Sequence, residues 1–365
     1  MEKDLGYRKV QCAGRGSLSI SLPKDWAQDV GIERGSEIAF KVQEDSSLIL
    51  VPRKIMEGKK ENVKPKLREY WIYVDQKSDP QSIVRRITSL YVVSADLIHI
   101  RFKDSEIYQK FKTAVNNLIK NALLGSEIID ETSKEITIQI LINHPDFPME
   151  KAIGRMAVLA LSANKDAILA LKNMDQGLVQ SVIDAHAIVD RLNLYVIRQL
   201  KSGLEQNLFK DWGFRTPKEF LGYRIIANDI KSIADNASNI ANNIRTLKKL
   251  TEDKMLFLKE TVDEEAYTQI LNFNSLANQL FEETLKAMFK RDYERADKTI
   301  SRLEAFITLE NDLITLMSSK KLDPNVSSIH RLLLDSSRRI VEYSRNIAEV
   351  TLNRTVEEIS SMPTS

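Results

Sequence analysis

The chain has 365 residues, 43 % of them hydrophobic and 28 % charged, with a formal net charge of +2. That length exceeds one ordinary hydrophobic core, so about two to four domains are expected, and any nucleic-acid contact must be local rather than spread over the surface. The single cysteine, Cys12, excludes an intramolecular disulfide framework and a zinc site built on several thiolates.

The first fifty-odd residues read as a small β-rich head. Arg8 to Gln11 is a strand candidate, and Cys12-Ala13-Gly14-Arg15-Gly16 is a glycine turn. From Ser17 to Leu22 polar and apolar residues alternate, with Leu18, Ile20 and Leu22 facing one way. Pro23 stops the strand and opens a two-turn helix, Lys24 to Val30, that Gly31 ends. Glu37 to Val42 and Ser47 to Val51 predict a hairpin around a polar loop. A unit this small buries little core alone, so pairing with a second copy is expected.

The pattern GRGSLSISLPKDW…GIERGSEI resembles the SpoVT/AbrB swapped-hairpin domain. The resemblance implies interlocked strands from two chains and DNA contact by basic residues of the first strand and loop. The matching positions here are Arg8, Lys9, Arg15 and, at the helix start, Lys24. The charge bias of residues 1–66 is slight, with thirteen basic and ten acidic side chains. A purely dimerising head is therefore the competing reading.

Lys54 to Lys66 reads as a polar linker. A strand at Tyr70–Val74, a helix from Asp79-Pro80 to Val93, a strand at Leu97–Phe102, a helix from Glu106 to Leu124 and a strand at Glu135–Ile142 then predict a small α/β layer. No glycine-rich phosphate loop follows any of these strands. His99 and His144 are isolated and are read as structural.

From Pro148 the periodicity is helical. Helices are predicted at 149–174, 179–204 and 220–250, then at 266–290, 293–317 and 327–359. The segments SIADNASNIANNI (232–244) and RIVEYSRNIAEVT (339–351) superpose in phase: Ile233 on Ile340, Asp235 on Glu342, Asn239 on Asn346, Ile240 on Ile347 and Ala241 on Ala348. That is an internal repeat, hence two tandem three-helix bundles.

VIDAHAIVDRLNLYVIRQL and SIADNASNIA resemble the middle and third helices of PhoU, a phosphate-uptake regulator. The resemblance implies a multidomain α+β chain: a swapped-hairpin β domain at 1–54, a small α/β domain at 67–145, and PhoU-like bundles at 146–250 and 262–361. It also implies acidic pairs, four residues apart, that hold divalent metal. Those positions here are His186 and Asp190 with Lys231 and Asp235 in the first bundle. In the second they are Leu303 and Ile307 with Arg338 and Glu342. Leu and Ile cannot ligate, and Lys and Arg carry the wrong charge. Two readings stay open: His186, Asp190 and Asp235 hold one weakly bound ion, or Lys231 pairs with Asp190 or Asp235 across the helices while Arg338 similarly meets Glu342. No cofactor is expected.

No catalytic carboxylate pair or nucleophile motif is present, so an enzyme is not expected. The opening MEKDLGYRKV lacks the apolar run of a secretory signal, and no long uncharged apolar stretch predicts membrane insertion. The expected location is the cytoplasm. The sequence reading is a homodimeric, DNA-binding transcriptional regulator of phosphate uptake and phosphate homeostasis. The alternative is a signalling adaptor without DNA contact that docks on a phosphate ABC transporter ATPase or a sensor kinase.

Overall fold

The computed structural model describes residues 6–13, 16–42, 46–53, 67–142, 146–253, 262–320 and 322–360. Arg15, His144 and the linker Lys54 to Lys66 lie outside the described residues. The chain divides into two compact units, Met1–Lys66 and Leu67–Ser365.

The first unit holds two hairpins and a short helix. β1 (Gln11–Ala13) pairs antiparallel with β2 (Ser17–Ser19), Cys12 opposite Leu18. Cys12 is therefore a strand residue and no part of the turn, and the first strand starts later than the expected Arg8 to Gln11. Helix α1 (Lys24–Asp29) follows Pro23, and Gly31, at φ +68°, takes the left-handed conformation that ends it. β3 (Ile38–Val42) pairs with β4 (Leu48–Pro52), Phe40 opposite Leu50 and Val42 opposite Leu48. Among the described residues of this unit only Pro52 is buried. Tyr7, Val10, Leu18, Ile20, Phe40, Val42, Leu48 and Ile49 are all exposed, Val42 by 74 %.

The second unit opens with a four-stranded sheet ordered β5-β6-β8-β7. β5 (Glu69–Val74) runs parallel to β6 (Leu97–Phe102), which the crossover helix α2 (Pro80–Val92) requires. Helix α3 (Ser105–Asn121) leads into β7 (Ser126–Glu131) and β8 (Glu135–Ile140). Asp79 and Asp104 cap the two helices through the backbone N–H groups of Ser82 and Ile107. Ile72, Ile98, Ile100, Ile136 and Ile138 fill the core between sheet and helices. β7 is an addition to the expected three strands. It is an acidic edge strand with a bulge between Ile128 and Asp130, which erases the period-two signal. His99 stacks on Trp71 with ring centroids 5.1 Å apart, a packing role.

Seven helices follow: α4 (Met149–Asn173), α5 (Gln176–Glu205), α6 (Glu219–Glu252), α7 (Glu264–Lys290), α8 (Tyr293–Ser301), α9 (Leu303–Ser319) and α10 (Pro324–Ile359). Asp175 caps α5, so Gly177 sits in its first turn instead of marking a separate one. The expected fifth helix is broken at Arg302 into α8 and α9; no Pro or Gly announces the break. One hydrophobic core runs through both bundles, from Met149 to Ile347. Ile233, Ile340, Ile240 and Ile347, paired by the internal repeat, are all buried in it.

Buried Arg198 on α5 ties the α/β layer to this body. It donates to the carbonyls of Tyr91 (2.8 Å) and Ala95 (2.7 Å) and lies over the Tyr91 ring. The bundles meet where α6 crosses α10. Gly222 permits close approach, since a Cβ there would stand 2.6 Å from Val350 Cγ1. Nearby, Asn346 Nδ2 donates to Asp229 Oδ2 at 3.1 Å. Among the described residues no helix is long and apolar enough to cross a membrane.

Burial pushes the Asp229 carboxyl up to about 6, against the opposing hydrogen bond from Asn346. The folded state therefore binds more protons than the unfolded chain between the ordinary value of 3.8 and about 6, and its stability falls as pH rises through that window. Asp229→Asn should stabilise the protein by on the order of 1 kcal/mol at pH 7.5 and not at pH 4. Urea midpoints at both pH values check it; an equal change at both would sink the assignment.

Candidate functional site

In the head, Lys24 is the exposed first residue of α1, and Arg8 and Lys9 are exposed before β1. The Arg8 guanidinium reaches only the adjacent Tyr7 carbonyl, at 3.1 Å. Among the described residues Glu37 pairs with Arg53, and the Glu33 backbone N–H donates to Ser36 Oγ at 3.0 Å. No ion pair ties Arg8, Lys9 or Lys24 to either acid among the described residues, so nothing there neutralises the three cations locally. Arg15, the remaining candidate, lies outside the described residues.

In the first bundle α5 brings His186 and Asp190, one turn apart, against Lys231 and Asp235, one turn apart on α6. His186 Nε2 stands 2.8 Å from Asp235 Oδ1 and 3.7 Å from Asp190 Oδ2. Lys231 Nζ donates to both oxygens of Asp235 at 2.7 Å and ion-pairs with Asp190 Oδ1 at 3.2 Å. The interhelical links are thus His186–Asp235 and Lys231–Asp190; Lys231–Asp235 stays on one helix. Burial alone would raise the Asp235 carboxyl, but hydrogen bonds from Lys231 and His186 outweigh it and hold the group below its ordinary value. Burial likewise would lower the Lys231 ammonium, but its bonds to Asp235 and Asp190 raise it.

One ligand atom each from His186, Asp190 and Asp235 lies within 4.8 Å of the others, a spacing at which an ion could be shared. The Lys231 ammonium stands at the same oxygens. A divalent cation about 3 Å from it would meet a repulsion on the order of 10 kcal/mol, before screening, at an effective dielectric of about 20. The residues present therefore do not fit a resident metal ion.

The second bundle is built differently from the expected interhelical pair. Arg338 and Glu342 both lie on α10, one turn apart, and pair there. Asp335, on the same helix, accepts from Arg338 Nη2 at 2.8 Å. The contact across helices is Arg338 to Glu310 of α9, at 3.5 Å. Glu310 lies three residues beyond Ile307, itself 59 % exposed and no part of the cluster. Burial, together with the like charges of Glu342 and Asp335, pushes the Glu310 carboxyl up, with Arg338 opposing. Sequence reasoning missed Glu310 because the resemblance places the middle-helix pair at Leu303 and Ile307, and only packing brings Glu310 to Arg338.

Residues 153–244 match the family model described as PhoU domain, and residues 14–57 match that described as antidote-toxin recognition MazE, bacterial antitoxin. The chain therefore carries a PhoU domain and a MazE/AbrB-like head. Among solved structures, PhoU from Pseudomonas aeruginosa is similar at 15 % identity and a TM-score of 0.36, covering 57 % of this chain and 95 % of that one. No curated protein matches the chain.

A carboxyl held below its ordinary value stabilises the fold above that value and loses the contribution as pH falls through the depressed one. Asp235→Asn should thus be less stable than the unaltered protein at pH 7, and the gap should close as the pH falls below about 3.8, the ordinary value. Unfolding midpoints at pH 7, 5 and 3.5 test this; a gap that stays constant would show that Asp235 carries no such coupling.

Proposed function

We propose that this protein is a homodimeric, DNA-binding transcriptional regulator of phosphate uptake and phosphate homeostasis. Residues 1–54 dimerise and contact DNA, 67–145 form a small α/β domain, and the bundles at 146–250 and 262–361 read the cell's state or bind a partner. The protein is not an enzyme in this reading, and it works in the cytoplasm.

The observation that carries the proposal is the head. Among its described residues it presents eight large apolar side chains to solvent and buries almost nothing. Burying such a side chain is worth about 1.5–3 kcal/mol. Eight from each of two copies comfortably exceed an association cost of roughly 4–15 kcal/mol. A second copy is the occupant that cures the deficit symmetrically, because each chain offers the same face that it needs covered. A two-fold head in turn suits a DNA site of two related halves. Arg8, Lys9 and Lys24 are exposed and have no acid partner among the described residues, which supports phosphate contact. The PhoU domain at 153–244 supports phosphate as the regulated commodity.

Leu18→Glu with Phe40→Glu should convert the dimer to a monomer in sedimentation equilibrium while leaving the helical circular dichroism intact. A variant that stays dimeric would remove the head from the assembly. DNA upstream of phosphate-transporter genes, and of the protein's own gene, should bind in preference to random DNA and release as salt rises. Arg8→Ala with Arg15→Ala should weaken that binding by at least about tenfold and lower the slope of log K against log salt by about two. Binding no better than to random DNA by an intact dimer would favour an adaptor that docks on a transporter ATPase or sensor kinase.

A further inference from the structure

The charge clusters of the two bundles share a plan that neither fold nor family match assigns. In the internal repeat Asp235 superposes on Glu342, so Lys231 superposes on Arg338, four residues earlier in each case. Each basic side chain holds the acid one turn further along its own helix and reaches an acid on the preceding long helix: Asp190 for Lys231, at 3.2 Å, and Glu310 for Arg338, at 3.5 Å. The same sign of charge thus stands at the same place twice, and both times between carboxylates from two helices.

We propose that Lys231 is a built-in cation occupying a latent divalent-metal site, and that removing its charge turns His186, Asp190 and Asp235 into a site for a first-row ion such as zinc. Like charges from Asp190 and Asp235 need a cation between α5 and α6, and the chain supplies one itself. Without the ammonium the cluster keeps two carboxylates and an imidazole nitrogen. Their two negative charges balance a divalent ion, and one nitrogen with two oxygens is a donor set that zinc accepts, leaving a fourth position for water. The imidazole already turns Nε2 into the cluster, 2.8 Å from Asp235 Oδ1. Its ring proton need only sit on Nδ1 for Nε2 to ligate. Arg338, at the matching place in the second bundle, is the independent sign that a fixed side-chain charge is the chain's way of closing this gap. The first bundle then holds its α5–α6 register without an ion at this cluster.

The test uses the full chain, untagged and freed of metal by chelator. Zinc is titrated into the unaltered protein, Lys231→Ala, Lys231→Met and Lys231→Ala with His186→Ala. Calorimetry, the melting temperature and bound metal after gel filtration are the readouts. The unaltered protein should take up no zinc at the cluster, and chelator should leave its melting temperature unchanged. Lys231→Ala should bind one zinc per chain, tighter by at least about tenfold, and melt higher with zinc than without; the further loss of His186 should abolish the gain. Lys231→Met keeps the packed stem while losing the charge, so it gives the same reading should the alanine variant fold poorly. Zinc bound by the unaltered protein as tightly as by the variants, or a folded Lys231 variant that gains no His186-dependent site, overturns the proposal.

Discussion

The packing of α6 against α10 is the contact on which the helical body depends. Each is the last helix of its bundle, and each offers its partner small or polar groups where bulk would hold the helices apart. Gly222 leaves room for Val350, and Asn346 reaches across to Asp229. Near the start of α6 the buried Glu219 takes hydrogen bonds from Arg354 of α10 and from Arg291 just beyond α7. Deeper in, Asn274 donates to Asn164 Oδ1 at 2.6 Å, and Asn164 donates to Ser336 Oγ at 3.0 Å, joining α7, α4 and α10. Apolar burial drives these helices together without choosing a register. Buried polar groups do choose one, because each left unmatched costs about 1–3 kcal/mol. The two bundles consequently share one core.

The head obeys the opposite constraint. Among the described residues its strands are short, helix α1 has two turns at most, and the large apolar residues face outward. No rearrangement of so few residues buries them, since a unit this size has too little interior. The stability of the head and its assembly are thus one quantity in the proposed dimer, set by protein concentration. This couples any DNA contact to dimerisation: basic residues that act singly on a monomer act as a symmetric pair on a dimer, and phosphate contacts from both halves multiply in affinity.

Charge inside the body serves geometry. Arg198 carries its charge into the interior because two backbone carbonyls and the face of Tyr91 receive it. Lys231 and Arg338 sit in shallower places, each balanced by carboxylates from two helices. A side-chain cation differs from a bound ion in one respect that matters for a regulator: it cannot leave. In the proposed reading, a bundle closed by its own lysine holds this helix pair together without a bound ion.

The sequence by itself determined the elements that rest on periodicity and on local chemistry. Long amphipathic runs specify α4, α5, α6, α7 and α10, since a 3.6-residue period over twenty or more residues has no other solution. Asp79-Pro80 marked the start of α2, because capping is satisfied within a few residues. The repeat joining 232–244 to 339–351 pointed to the tandem bundles, and Lys231, standing where the resemblance implies an acid, already departed from a plain acidic metal motif. What only the tertiary structure decided is everything that depends on residues far apart in the chain. The edge strand β7 pairs because β8 offers it a ladder, not because its own acidic pattern asks for one. Glu310 meets Arg338 across two helices, a contact that neither helix's own spacing specifies. Arg338 and Glu342 are one turn apart on a single helix, so their pairing is local and the crossing contact had to come from elsewhere. Periodicity says which face of a helix is buried; only packing says which neighbour it meets, because that choice is made by shape and by the matching of a few buried polar groups.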